Sequence, residues 1–219
     1  TNVDIIGGHT EVTDAVNRFV MSITAIGRTI NRTVIRTSGA KPDDDLVLTK
    51  YAGLEGTSIL AHDYEKELEI KLGKEIVGTA KNFINSISVI KEGLIAAKFG
   101  AHAMHDVTEG GVLGAVWEMC HASGCGAVVY KNKIPVLKET RLICEHFNID
   151  PLKLISSGCM LIACENGGRL SEELSDIGVK AAVIGRITGD RSILLSENEK
   201  DVIIPPPESD ELYKVNSGL

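Results

Sequence analysis

The sequence predicts interleaved strands and helices, an α/β or α+β chain with an antiparallel component. Three observations predict it. Cys159 to Cys164 is a continuous apolar run, the mark of a strand buried on both faces. Leu60, Tyr64 and Leu68, then Phe83, Ile87, Ile90 and Leu94, recur at helical spacing. Ala181–Ile187 and Ile193–Leu195 read as the last strands, and the strand-turn-strand ending near Arg191 suggests an antiparallel component.

The elements follow in order. Val3 to Ile6 is a short apolar run closed by Gly7-Gly8. Phe19, Met21, Ile23 and Ala25 alternate with Val20, Ser22 and Thr24, so residues 1–36 read as two strands around a turn. Two strands do not make a stable domain, so they are expected to need further partners. Residues 37–45 gather Ser, Gly, Pro and Asp and read as a linker. Leu46–Thr49 is the next strand, and an amphipathic helix starts near Thr57. A second helix stops near Gly100. A strand over Ala101–Val107 follows. Leu113, Val116 or Trp117, and Cys120 mark a third helix, ended by Ser123-Gly124.

Gly126–Tyr130 is a strand. Leu142, Cys144 and Phe147 lie on a short helix that ends before Asp150-Pro151. After the strand at 159–164, Leu170, Leu174 and Ile177 mark a helix closed by Gly178. Pro205-Pro206-Pro207 opens an extended tail over 201–219, its last dozen residues expected to be mobile. No repeat is visible at 20–50 residues.

Composition narrows the function classes. The 219 residues are 43% hydrophobic and 24% charged, which fits a globular chain of one or two domains. The formal net charge is −7, and no basic stripe is present, so nucleic acid and anionic membranes are poor partners. No apolar run approaches ~18 residues. The five cysteines, an odd number without a Cys-x-x-Cys pair, read as buried free thiols of a cytoplasmic protein. The start at Thr1, without Met and almost directly in a strand-like segment, suggests missing upstream sequence.

Three short segments can carry chemistry. His105-Asp106-Val107-Thr108-Glu109-Gly110-Gly111 places a carboxylate at a strand end, then a hydroxyl and two glycines at a helix start. Such a start favours phosphate, and Asp106 can orient a hydroxyl or hold a divalent cation. The competing structural reading has Thr108 capping the helix, Glu109 complementing its dipole and the glycines making a turn. Gly7-Gly8-His9-Thr10-Glu11 offers a phosphate or metal corner, or an ordinary polar turn. Ser156-Ser157-Gly158 before the buried strand can face a cleft, or simply turn the chain. His102 and His105 flank a strand without a third ligand at metal spacing, so zinc is not expected.

Taken in order, Gly7-Gly8-His9-Thr10-Glu11, then Ser38 through Lys50 (Ser-Gly-Ala-Lys-Pro-Asp-Asp-Asp-Leu-Val-Leu-Thr-Lys), then Asp106-Val107-Thr108-Glu109-Gly110-Gly111, then Ser156-Ser157-Gly158-Cys159-Met160-Leu161-Ile162, resemble the aminoimidazole ribonucleotide (AIR) synthetase superfamily. That superfamily includes AIR synthetase, selenophosphate synthetase, thiamine monophosphate kinase and the hydrogenase maturation protein HypE. The resemblance spans residues 3–195, and Asp-x-Thr-x-Gly-Gly is most similar to the HypE branch.

The resemblance implies an α+β fold, a mixed, partly antiparallel sheet covered by helices, preceded by a remnant of an N-terminal domain. Residues 1–36 would be the last strands of that domain, 37–45 the linker, 46–200 the C-terminal domain and 201–219 the tail. It implies ATP and Mg2+, the metal held by acidic residues of the N-terminal domain, which this chain would largely lack. It implies a homodimer, and a small-molecule substrate or a maturation partner protein. The chemistry implied is activation of an amide, carbamoyl or related oxygen by ATP, expected of a longer protein rather than of this chain alone.

Carried over by residue, Asp106, His9 and Glu11 would be catalytic. Gly8, Thr10, Thr108, Gly110, Gly111, Ser157 and Gly158 would bind nucleotide or phosphate. No metal ligand is assigned. Glu109 stands where HypE usually has Arg, and residues 213–219 lack the terminal cysteine that accepts the carbamoyl group in HypE. The alternatives are a non-catalytic assembly module in cofactor or hydrogenase maturation, and an AIR or selenophosphate synthetase-type ligase.

Overall fold

A computed structural model describes residues 3–29, 34–198 and 200–216. The chain divides into two units, Thr1–Val34 and Ile35–Leu219.

Within the first unit the described residues form no helix or strand. The strands expected at 3–6 and 19–26 are therefore not formed. Ile5, Phe19 and Ile23 are exposed. Alternating apolar residues become a strand only where a neighbour completes the hydrogen-bond ladder and covers the apolar face.

The second unit contains a seven-stranded sheet in the order β2-β4-β1-β5-β3-β6-β7. The strands are β1 (Asp45–Thr49), β2 (Ala103–Asp106), β3 (Gly126–Tyr130), β4 (Met160–Cys164), β5 (Ala181–Thr188), β6 (Ile193–Glu197) and β7 (Lys200–Ile203). Neighbours are antiparallel except β3 and β6, which run parallel. The fold is thus α+β with a mixed sheet.

Period-2 alternation sorts β1 and β4 between two layers. Leu46, Leu48, Leu161 and Ala163 face one core with Val112, Val116 and Met119 of α5 (Gly111–Ser123). Val47, Ile162 and Cys164 face the other, with Ala96 of α4 (Ile90–Phe99) and Leu170 and Leu174 of α7 (Gly167–Asp176). Both faces are covered, so β4 reads as an unbroken apolar run. A third core joins α1 (Leu54–Asp63), α2 (Glu65–Leu72), α3 (Lys74–Lys81) and α6 (Lys138–Phe147) around Leu60, Leu68, Val77 and Ile143.

Several boundaries differ from expectation. The helix expected near Thr57 starts at Leu54 and breaks at Tyr64, whose φ −112°, ψ 28° is not helical. The segment marked by Phe83 and Leu94 is a 3-10 turn over Asn82–Ser86 followed by α4. Gly100 does stop α4, in the left-handed conformation.

Residues 37–45 are not a free linker. Thr37–Gly39 is a 3-10 turn, and the Ser123 hydroxyl accepts from Ala40 N–H at 3.2 Å and donates to Thr37 O at 3.2 Å. Asp44 is 2% exposed, and Asp45 already belongs to β1. Ser, Gly, Pro and Asp build a packed turn here as readily as a loose one.

The tail is also structured. Residues 201–203 belong to β7, and Glu211–Asn216 forms α8. Asp210 is buried, and its carboxylate caps α8 by accepting Leu212 N–H at 2.9 Å.

Candidate functional site

The antiparallel register brings the ends of β1 and β2 and the start of β4 to one edge. Asp106 stands opposite Met160, and Leu48 opposite Leu161. Thr49, fully buried, accepts Met160 N–H on its hydroxyl at 2.9 Å, and Val107 N–H donates to Cys159 O at 3.1 Å. These bonds fix the 49–53, 106–111 and 156–159 loops beside one another. Asp106, Thr108, Gly110, Gly111, Ser157 and Gly158 therefore share one end of the sheet.

Asp106 is exposed and Thr108 half-buried. Thr108 does not cap α5 with its side chain. The N-cap is Gly110 at φ +81°, and Thr108 O accepts Gly111 N–H at 3.1 Å. Gly111 has φ +62°, and a Cβ there would meet Leu152 O at 2.6 Å, so this glycine serves backbone packing. Gly110 N–H donates to Asp210 Oδ2 at 2.8 Å. A carboxylate of the same chain thus sits where a phosphate is expected.

The serine loop divides its labour. Ser156 is buried, accepts Gly53 N–H and donates to Leu154 O, both at 2.7 Å. Ser157 is half-buried. Gly158 takes φ +109° against Ile87 and Ser86, with 3.0 Å from a built Cβ to Ile87 Cα.

Lys50 is a residue to which the sequence assigned no role. It holds φ +54°, unusual for a side-chain-bearing residue. Its Nζ donates to Ser86 O at 3.0 Å and Ser88 O at 2.7 Å, and lies 2.6 Å from Oε1 of Glu92, which is only 2% exposed. The pair ties β1 to the segment beneath Gly158. Only the Leu-Thr-Lys run pointed to it, and a buried acid on α4 gives no local signal.

Gly8, His9, Thr10 and Glu11 belong to the other unit. There His9 Nε2 lies 3.0 Å from Glu11 Oε2, both side chains exposed.

The thiols are chemically quiet. All five cysteines are free and buried. Burial pushes Cys159 and Cys144 up to about 12 each. Neither is a thiolate at neutral pH. The Asp106 end therefore offers the exposed carboxylates of Asp106 and Glu109 and the hydroxyls of Thr108 and Ser157, a set for positioning a ligand rather than attacking it. Among the described residues no three His, Cys, Asp or Glu side chains converge to hold a metal. This donor set fits one edge of a magnesium-nucleotide site and not a full cage.

The family model for the C-terminal domain of AIR synthase related proteins matches residues 41–211. The chain belongs to the AIR synthase related family.

Its matched segment contains all the loops just described at the Asp106 end. A putative hydrogenase expression/formation protein of Methanocaldococcus jannaschii is 27% identical over 199 residues, covering 89% of this chain and 57% of the relative. Carbamoyl dehydratase HypE of Cupriavidus necator is 24% identical over 164 residues, covering 74% and 44%. The crystal structure of Escherichia coli HypE superimposes with TM-score 0.68 at 21% identity, covering 84% of this chain and 56% of that one. A HypE structure in complex with ATP superimposes with TM-score 0.59 at 16% identity, covering 83% and 55%. This AIR synthase related chain thus spans about half the length of the relatives it matches.

The helices of the described residues are none of them long and apolar enough to cross a membrane.

Proposed function

We propose that this chain is the C-terminal, ligand-positioning half of a HypE-like enzyme that uses ATP to activate an amide, carbamoyl or related oxygen. The observation that carries the reading is the convergence of Asp106, Thr108, Ser157 and Gly158 at one sheet end within the family-matched segment. A relative of the same fold has been solved with ATP, which supports the nucleotide. The relatives' greater length leaves room for an N-terminal domain that would supply most of a magnesium cage.

In this reading Asp106 orients the metal-bound nucleotide or the acceptor group. Thr108, Ser157 and the backbone at Gly158 fix phosphate or substrate oxygens, while Gly110 and Gly111, whose N–H groups are given to Asp210 and Thr108 O, shape the loop. Catalytic roles for His9 and Glu11 and phosphate binding by Gly8 and Thr10 belong to the same reading, in a homodimer. Bound nucleotide supplies a phosphoryl group as activator. Positioning and charge neutralisation are what the protein adds.

The Gly110–Asp210 contact favours a second reading, an assembly module without turnover, because the helix start already holds a carboxylate. Nucleotide hydrolysis by the full natural protein, measured with carboxamide acceptors, separates the two. Turnover lost in Asp106→Asn supports the enzyme. Absence of turnover with every acceptor supports the module.

A further inference from the structure

A second polar constellation lies at the β2 edge of the sheet, where three elements meet. Side chains alternate along a strand, so His105 faces away from Asp106 and toward α5. Its Nε2 lies 2.7 Å from Oε2 of Glu118 on α5. Its Nδ1 lies 3.0 Å from Oγ1 of Thr37, in the 3-10 turn packed on the strand edge. Ser123 pins that turn through Thr37 O and Ala40 N–H. The His105 side chain is 19% exposed and that of Glu118 43%. Thr37 is half-buried. The imidazole is thus largely enclosed, while the hydroxyl stays within reach of a small molecule.

The direction of the hydrogen bonds follows from the donor set. An ionised carboxylate only accepts, so Nε2 carries the proton and donates to Glu118. Nδ1 of the neutral ring keeps its lone pair and accepts from the Thr37 hydroxyl. The other acceptor of that hydroxyl, Met104 O, is farther, at 3.4 Å. Hydroxyl, imidazole and carboxylate therefore stand in the order in which a base activates a nucleophile and a third group orients the base. A polar tie between the turn and β2 needs only the Thr37 contact. The carboxylate on the far nitrogen does more: it fixes which nitrogen meets the hydroxyl.

We infer that Thr37 is a nucleophile for acyl transfer, with His105 as its base and Glu118 as the positioning residue. The hydroxyl is secondary and sits at a sheet edge, so the substrate class is a small activated acyl ester or thioester. Thr37 Oγ1 bonds the acyl carbon as its proton passes to Nδ1. The bond from that carbon to the leaving oxygen or sulfur breaks, and the proton follows the leaving group. The product is an acyl ester on Thr37, which water then hydrolyses by the same route. The inference does not depend on the nucleotide reading.

The test uses p-nitrophenyl acetate on the full chain, with p-nitrophenolate release followed beside peptide mapping of the acetyl group. The expected result is acetyl on Thr37, absent in Thr37→Val. Labelling slows by ~100-fold or more in His105→Ala, and added imidazole restores it at Thr37, which a merely structural histidine would not allow. Glu118→Gln lowers kcat about tenfold with KM unchanged, and Glu118→Asp recovers part of the loss. Glu118 is partly exposed, so its variants keep the fold, which circular dichroism checks. Acetyl found only on lysines of the wild type overturns the inference. So does labelling of Thr37 at the wild-type rate in His105→Ala or Glu118→Gln.

Discussion

Asp210 accepts the backbone N–H of Gly110 across 2.8 Å, joining two residues a hundred positions apart. Its second oxygen accepts Leu212 N–H at 2.9 Å. One buried carboxylate thus caps α5 and α8 together and holds the tail against the glycine motif. Asp210→Ala removes both bonds and is expected to cost about 1–3 kcal/mol. Urea unfolding of the variant beside Asp210→Asn measures it, with the amide variant intermediate.

The two glycines that bound α5 should respond differently to alanine. Gly111 combines φ +62° with backbone 2.6 Å from the added Cβ, whereas Gly124 has φ +70° and open space. Gly124→Ala should cost about 1–2 kcal/mol from the left-handed backbone alone. Gly111→Ala should cost roughly 1–3 kcal/mol more, because the clash is with main chain that cannot swing away. Thermal unfolding of the two single variants gives the order.

Lys50 and Glu92 form a pair in which the acid is fully enclosed. Lys50→Met leaves that acid buried without its cation, at an expected cost of about 3–5 kcal/mol. Replacing both partners with apolar residues should recover much of the loss. A double-mutant cycle on chemical denaturation reads the coupling. Additive losses would show that the 2.6 Å approach contributes no specific energy.

The thiols set an alkaline limit on stability. Burial holds Cys159 and Cys144 at about 12 and Cys164 at about 11. An unfolded thiol ionises near ~8.5. The unfolded state therefore loses protons first, so this stability is complete below that value. It falls as pH rises toward 11–12. The midpoint of thermal unfolding should decline above about pH 8.5. A thiol reagent at neutral pH should label all five cysteines only after denaturation.

Much of the sheet was readable because its signals are local. The apolar run of β4 and the glycine stops at Gly100 and Gly124 lie within a few residues of what they control. What the sequence hid depends on distant partners. α3 buries only Val77 and Ala80, too few to mark a face. β7 is exposed along its length and, among the described residues, pairs with β6 alone, so its own residues give no strand pattern. The residues 19–26 show the converse, alternation without a partner in the described structure. At the candidate site, strand ends and glycine turns pointed to Asp106, Thr108, Ser157 and Gly158, which the fold gathers at one end of the sheet. Asp210 and Lys50 were not legible, because each acts through a residue 40 or more positions away.

The central claim is that the Asp106 end of the sheet positions a nucleotide. The most direct test is Mg-ATP affinity of the full natural protein by titration calorimetry, wild type beside Asp106→Asn, with Glu173→Gln at the opposite end as control. Loss of affinity by about tenfold or more in Asp106→Asn alone is the predicted result. Equal affinity in all three proteins would contradict the role given to Asp106 and to the loops around it.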